Sequence, residues 1–408
     1  MGNARAVAPG FSPLDEVLGW LPGSLSPTVQ EGMILVGAQV PFRQAAALIA
    51  HFTHVTVSAA TVTRVTEAAG AVLVAVETAR VEELERDLPA SPAGPPILQI
   101  SIDGAMVPTR AGWHEVKTLV AGVVVKLGTG EAGGRATDLS YCARMTDVTA
   151  FARAALGELH RRGLERAGVV VGVVDGAAWC QSFLDYHTPD AVRILDFPHA
   201  LEHLSAAAQA VFGAGSAEAS DWLGRQAHAL RHGDPTVVLQ ALTDLPVDQA
   251  RDPEAADKAR AAELAYCTTR IAQMQYRAFA AQGYPIGSGA VESANKLVVE
   301  ARLKGAGMHW AVANVDPLLA LRCAICSGTW CSAWTALSDE RMRRARRRHP
   351  RPQPAPVPTV RGEPPDPPVA RVVVPAPHTK TIVNGRPTAN HPWKRTFRPV
   401  APATIPKT

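Results

Sequence analysis

Apolar residues change their spacing several times along the chain, and each change marks a different kind of element. Residues 1–35 hold no sustained period beyond one short predicted helix. Over 41–76, "PFRQAAALIAHFTHVTVSAATVTRVTEAAGAVLVAV", two helical stretches flank the turn "THVTVS", and Ser58 offers a side-chain oxygen to cap the second. That helix is predicted to continue through "ARVEELERDL", and "PASPAGPP" (89–96) then breaks the pattern as a linker. Strand-like segments follow at 97–103 ("ILQISID"), 113–127 and 137–145, then a helix at 147–164. "GVVVGVVDGAAW" (168–179) opens with an unbroken apolar run, which suits a strand buried on both faces, and "AVRILDFPHALEHL" (191–204) reads as a strand and then a helix. Residues 205–282 are polar and helical, and "GYPIGSGAVES" (283–293) leads into a last helical stretch.

The expected fold is α/β, a mixed sheet flanked by helices. Its parts are an N-terminal helical region (1–88) with a helix-turn-helix at about 41–76, the linker, and a core in two pieces (97–204 and 283–338). A helical insertion (205–282) splits the core, and a basic, Pro-rich tail (339–408) is expected to be disordered alone.

Composition changes little in this picture. A chain of 408 residues with 47% hydrophobic content and mean hydropathy +0.02 can bury a sizeable core. No apolar stretch reaches the roughly 18–20 residues needed to span a bilayer. The first residues lack a secretion signal, and Ala6 fails the myristoylation pattern, so a soluble cytoplasmic protein without a membrane partner is expected. Six cysteines are too scattered for a disulfide framework. "CAIC" (323–326) has metal-like spacing but lies in an apolar helical stretch, which reads as a buried helix face.

Charge adds one feature. The net charge is only +4, yet "RMRRARRRHPR" (341–351) concentrates Arg343, Arg344, Arg346 and Arg347. Such a block suits a polyanion, since phosphate contacts release condensed counterions; a solubilising tail is the alternative.

The candidate chemistry is acidic. Three apolar strands each deliver an aspartate at the C-terminal end: Asp103, Asp175 and Asp196. Sites in α/β sheets gather at such ends. Asp196 also reads as the cap of the helix that follows it, whereas Asp103 precedes a turn. Glu292 sits behind a small-residue elbow that lets the backbone bend and pack closely. Two strand aspartates and one helical glutamate can converge on two Mg²⁺ (or Mn²⁺) ions, which favour hard carboxylate oxygens and phosphate. Glu300, eight residues on, points about 80° away around an α-helix and cannot take the place of Glu292.

The stretches "ISIDGAMVPTRAGWHEVK", "VVVGVVDGAAW", "ILDFPHALEHL" and "GYPIGSGAVESANKLVVEARLKGAGMHW" closely resemble bacterial insertion-sequence transposases of the ISKra family, as do "FSPLDEVLGWLPGSLSPTVQEG" and "GRPTANHPWKRTF". The resemblance covers almost the whole chain. It implies a ribonuclease-H-like core related to Mutator-like elements, and an Asp-Asp-Glu triad at Asp103, Asp175 and Glu292 that binds the metal ions. It also implies cleavage and strand transfer on double-stranded DNA at the element's ends, by a homo-oligomer. "DFPH" matches a signature of related transposases with Asp196 and His199; His199 can orient a phosphate or make a buried structural hydrogen bond. Members of the family carry a cysteine-rich segment upstream of the helix-turn-helix. Here the first cysteine is Cys142, so a shortened N-terminus is expected.

Expected DNA contacts are Thr61, Thr63 and Arg64 on the second helix of the hairpin, Asn295, Lys296, Arg302, Lys304 and His309 near Glu292, and the arginine block. Two other classes stay open. One is a catalytically dead remnant that binds DNA through the helix-turn-helix. The other is a zinc metallopeptidase using the pattern His199, Glu202, His203.

Overall fold

The computed structural model describes residues 25–348, apart from residue 88 and residues 129–132. The expected strands and helices form, with one difference that bears on the site. Strand β1 (Ile97–Thr109) does not stop at Asp103. It continues because Ala105 and Val107 alternate into the core while their backbone pairs with β2 (Gly112–Lys126), so the turn falls at Arg110–Ala111 and Asp103 lies in mid-strand. β3 (Gly134–Arg144) completes an antiparallel meander.

Helix α4 (Val148–Arg161) then crosses over to β4 (Val169–Val174), parallel to β1, and α5 (Ala178–His187) leads to β5 (Val192–Leu195), parallel to β4. The strand order is β3-β2-β1-β4-β5, a five-stranded mixed sheet with helices on both faces. On one face Leu98, Ile100 and Ile102 pack with α4 and α5. Side chains alternate along a strand, so Gln99, Ser101 and Asp103 point to the other face.

That other face carries two sets of helices. α6 (Phe197–Phe212) and the insertion helices α7 (Ala217–His232), α8 (Pro235–Thr243), α9 (Pro253–Thr269) and α10 (Tyr276–Gln282) share a core with Val171, Val173 and Ile194. Ala105, Val107, Val116 and Val120 are covered by the Glu292 helix, which runs as α11 (Gly289–Ala294), a π-helical stretch (Asn295–Glu300) and α12 (Ala301–Leu303). Helices α13 (Val312–Cys326) and α14 (Trp330–Arg348) close this core.

The N-terminal part holds α1 (Pro27–Gln39), α2 (Phe42–Thr53) and α3 (Ala59–Arg86), with Ser58 capping α3 through the backbone N–H of Thr61. Helix α3 is long and apolar enough to cross a membrane by length and composition, with a mean hydropathy of 1.4 over its most apolar window. It is the one such helix among the described residues, and it packs against α1, α2, α13 and α14. Polar residues such as Thr66 and Glu67 interrupt its apolar run.

"CAIC" lies on α13 with Cys323 buried, so the helix-face reading holds. Helix α14 carries the arginine block to Arg348, so residues 339–348, expected as the start of a disordered tail, are helical instead; the rest of the tail, including "GRPTANHPWKRTF", lies outside the described residues.

Candidate active site

Strand register sets the first two acids side by side. Ile100 of β1 pairs with Gly172 of β4, and Gly172 pairs with Arg193 of β5. Asp103, Asp175 and Asp196 each lie three residues beyond that row, so one line across the sheet carries all three. Their environments then separate them. Asp196 is 4% exposed and caps α6 by accepting from the His199 N–H at 3.0 Å. Its other oxygen accepts the Ser288 N–H at 2.5 Å. Asp196 is thus the tie between β5 and the elbow before Glu292. The elbow's bend is made at Gly283, whose φ of +80° caps α10 in the left-handed region.

Asp103 and Asp175 keep their carboxylates for other work. Asp103 accepts from the Gly104 N–H at 2.7 Å and from Asn295 Nδ2 at 2.8 Å. Asp175 accepts from the Ala177 N–H at 2.9 Å and the Cys180 thiol at 3.3 Å. Glu292 is exposed, one turn before Asn295, with Ser288 Oγ at 3.5 Å from Oε1. Among the described residues none of the three acids has an ion pair to a lysine, arginine or histidine. Burial, and then the charges of Asp175, Glu292 and Glu115, push the Asp103 carboxyl above its ordinary value.

Asp103 therefore carries a folded-state value above its unfolded one, and ionising it costs stability as pH rises through that interval. We expect Asp103→Asn to raise the thermal midpoint of the metal-free protein by a few degrees at neutral pH, and by nothing near pH 3. Thermal unfolding at both pH values checks this; a lower midpoint at neutral pH contradicts it.

The donor set fits a hard divalent cation in type and charge. The charges of Asp175 and Glu292 oppose ionisation of Asp103, and among the described residues two buried oxygens nearby, Asn295 Oδ1 and Thr118 Oγ1 opposite Asp103 on β2, lack any hydrogen-bond partner. Among the described residues no group of three or more His, Cys, Asp or Glu side chains lies close enough together here to hold one ion.

The chain around Asp175 is clasped from the insertion. Gly176 has φ +79°, a conformation that glycine adopts without strain. Tyr266 on α9 donates its hydroxyl to the Asp175 carbonyl at 2.7 Å, and Arg270 donates to the Gly176 carbonyl through Nη2 at 2.8 Å. Helix α9 so fixes the turn that aims the second acid. Sequence reading missed Tyr266 and Arg270, because nothing in a helical segment 91 residues away marks them. It also missed Glu115, whose only signal is its place in "WHEVK"; Lys117 pairs with it at 2.7 Å.

Other expected contacts divide by burial. Lys296 and His309 are exposed, as is Lys304, which pairs with Glu300 at 2.6 Å. That pair occupies Glu300, and the π-helical stretch before it widens the turn on which an 80° offset rests. Two assignments near Glu292 need correction. Arg302 is 1% exposed, donates to the Gly37 carbonyl, and has its guanidinium 4.6 and 4.8 Å from the rings of Phe42 and Trp310. It is a core cation stabilised by aromatic faces and cannot meet DNA from there. Asn295 is 7% exposed and serves Asp103. On α3, Arg64 is exposed, Thr61 and Thr63 are half-buried, and the Thr63 hydroxyl is spent on the Ala59 carbonyl. Arg343 and Arg344 pair with Glu340 on α14, Arg347 is exposed, and the Arg346 side chain lies outside the description.

No protein-family model matches this chain, and no curated protein does.

Proposed function

We propose that the chain is a metal-dependent polynucleotidyl transferase, a transposase that cuts and joins DNA at the ends of an insertion sequence, with a ribonuclease-H-like core. The observation that carries this reading is the alignment of Asp103 on β1 with Asp175 at the end of the adjacent parallel β4, facing the helix of Glu292, with no basic partner for any of the three among the described residues. Such an arrangement is suited to bind divalent ions and a phosphodiester rather than to stabilise the fold.

Asp103, Asp175 and Glu292 would hold Mg²⁺ or Mn²⁺. Bound there, the ions supply an acidified attacking water or hydroxyl and neutralise charge on the departing 3′-oxygen. The chain's own residues do the rest. Asn295 holds one Asp103 oxygen, Tyr266 and Arg270 fix the Asp175 turn, and the Asp196–Ser288 tie sets the entry of the Glu292 helix. Lys296, four residues after Glu292, and His309 are exposed, and phosphate contacts from them would position the strand. Helices α2 and α3 are read as a helix-turn-helix, with Arg64 as its exposed base-side cation. We place the protein in the bacterial cytoplasm, bound to DNA as an oligomer.

The peptidase reading lacks support: Glu202 is tied to its own His199 at 3.1 Å, and among the described residues no third ligand joins the two histidines. A DNA-binding remnant would leave without a role three acids that have no ion pair among the described residues.

The test is a plasmid bearing the DNA that flanks the gene, incubated with the full chain and Mg²⁺. Metal-dependent nicks at paired inverted repeats are expected. Binding to those repeats with no cleavage in Mg²⁺ or Mn²⁺ would leave the remnant as the answer.

A further inference from the structure

His199 and His203 stand four residues apart on α6 and so share one face of the helix. Their Nε2 atoms lie 3.3 Å apart. Each ring is held from behind by a carboxylate: His199 Nδ1 faces Glu202 Oε2 at 3.1 Å, and His203 Nδ1 faces Glu263 Oε2 on α9 at 2.5 Å. A carboxylate at Nδ1 assigns that nitrogen the proton of a neutral ring, which leaves the lone pair on Nε2. Where both rings are neutral, the two lone pairs face one gap, which a cation can bridge; in the metal-free protein a proton on one Nε2 makes the contact a hydrogen bond.

The spacing matches a particular cation. Two imidazole nitrogens bound to one tetrahedral zinc ion, each about 2.0–2.1 Å from it, lie about 3.3–3.4 Å apart. Outer carboxylates on both rings are the usual companions of metal-binding histidines. The side chains are 31% and 22% exposed, so an ion and its solvent ligands can enter. A second pair with the same spacing, His228 and His232 on α7, has rings 4.8 Å apart, yet both are exposed and neither has a carboxylate partner among the described residues. Spacing alone does not build the first site; its outer carboxylates do.

We propose that His199 and His203 form a two-imidazole site for a zinc-class ion, with Glu202 and Glu263 orienting the rings. Imidazole suits such an ion, whereas Mg²⁺ prefers the carboxylates around Asp103. The site is structural in its reach. Glu263 belongs to α9, and His203 stacks on Tyr266 of the same helix with ring centroids 3.6 Å apart. Tyr266 in turn holds the Asp175 carbonyl. A bound ion would brace α6 against α9 and stiffen the clasp on the Asp175 turn. The site does not depend on the DNA chemistry proposed above, since its ligands are different residues.

Zinc titration of the chelator-stripped full chain, in excess Mg²⁺ and against a chromophoric competitor, tests the proposal. Exposed Cys331 is replaced (Cys331→Ser) throughout, because a free thiol also binds zinc. One zinc per chain is expected, and Co²⁺ in its place should give the visible bands of a tetrahedral site. His199→Ala and His203→Ala should each weaken binding at least about 100-fold, and Glu263→Gln about 10–100-fold. His228→Ala should change nothing. Circular dichroism confirms folding, and Glu263→Gln serves if an alanine variant fails to fold. No zinc binding to the parent protein, binding unaltered in all three variants at this site, or binding lost only with His228 would each overturn the proposal.

Discussion

Asp175→Asn protein is expected to cut its DNA at least about 1,000-fold more slowly than wild type in Mg²⁺, the scale of loss when a member of a catalytic unit is removed. The substitution keeps the shape of the side chain and an oxygen that can accept from the Ala177 N–H. Tyr266 and Arg270 hold the turn through backbone carbonyls, so their clasp stays intact. What disappears is one of the negative charges that push the Asp103 carboxyl above its ordinary value. The thermal midpoint without metal should therefore not fall. Loss of cleavage together with loss of fold would point instead to a structural aspartate, and undiminished cleavage would remove Asp175 from the chemistry. Single-turnover rates measured beside thermal unfolding separate the three outcomes.

Gly70→Ala is expected to cost about 3 kcal/mol of stability, the upper end for forcing extra atoms into a packed core. Gly70 lies in α3 where that helix crosses α13, and a methyl group there would come 2.1 Å from the Pro317 carbonyl oxygen. The obstacle is backbone, so the two helices would have to separate, loosening the core under the Glu292 helix. Gly157→Ala in α4 is the matched control. Its added carbon would lie no closer than 3.6 Å to Val81 Cγ2, and a helix gains about 0.5–1 kcal/mol when alanine replaces glycine. Denaturant unfolding should therefore move the two variants in opposite directions. A Gly70→Ala protein as stable as wild type would contradict the close crossing.

Much of the sheet was legible because its strands differ in kind. The unbroken run "GVVVGVV" announces a strand covered on both faces, and Ser58 and Asp196 announce helix starts by their side-chain oxygens. Asp103 was misjudged as a strand end, because the glycine after it reads as a turn. Pairing with β2 overrides that local signal and carries the strand on to Thr109. Arg302 was misjudged for a related reason: an arginine in a charged helical stretch looks solvated, and only the packing of Phe42 and Trp310 from distant segments explains its burial.

The site divides in the same way. Glu292 could be found from the crowded elbow before it, and Asp175 from its place after an apolar run. Asn295 was picked out as a contact for DNA, whereas its partner is Asp103, 192 residues earlier. Tyr266 and Arg270 had no local mark at all. Residues that orient a catalytic group through its backbone are chosen by tertiary position, and helical periodicity carries no trace of that choice.

The account turns on whether Asp103, Asp175 and Glu292 act on one metal centre. Mn²⁺ binding to the full chain, followed by calorimetry and by loss of the free-ion paramagnetic signal, measures this most directly. Wild type should bind two ions, and Asp103→Asn, Asp175→Asn and Glu292→Gln should each remove or greatly weaken at least one of them. Unchanged Mn²⁺ binding in all three variants would contradict it.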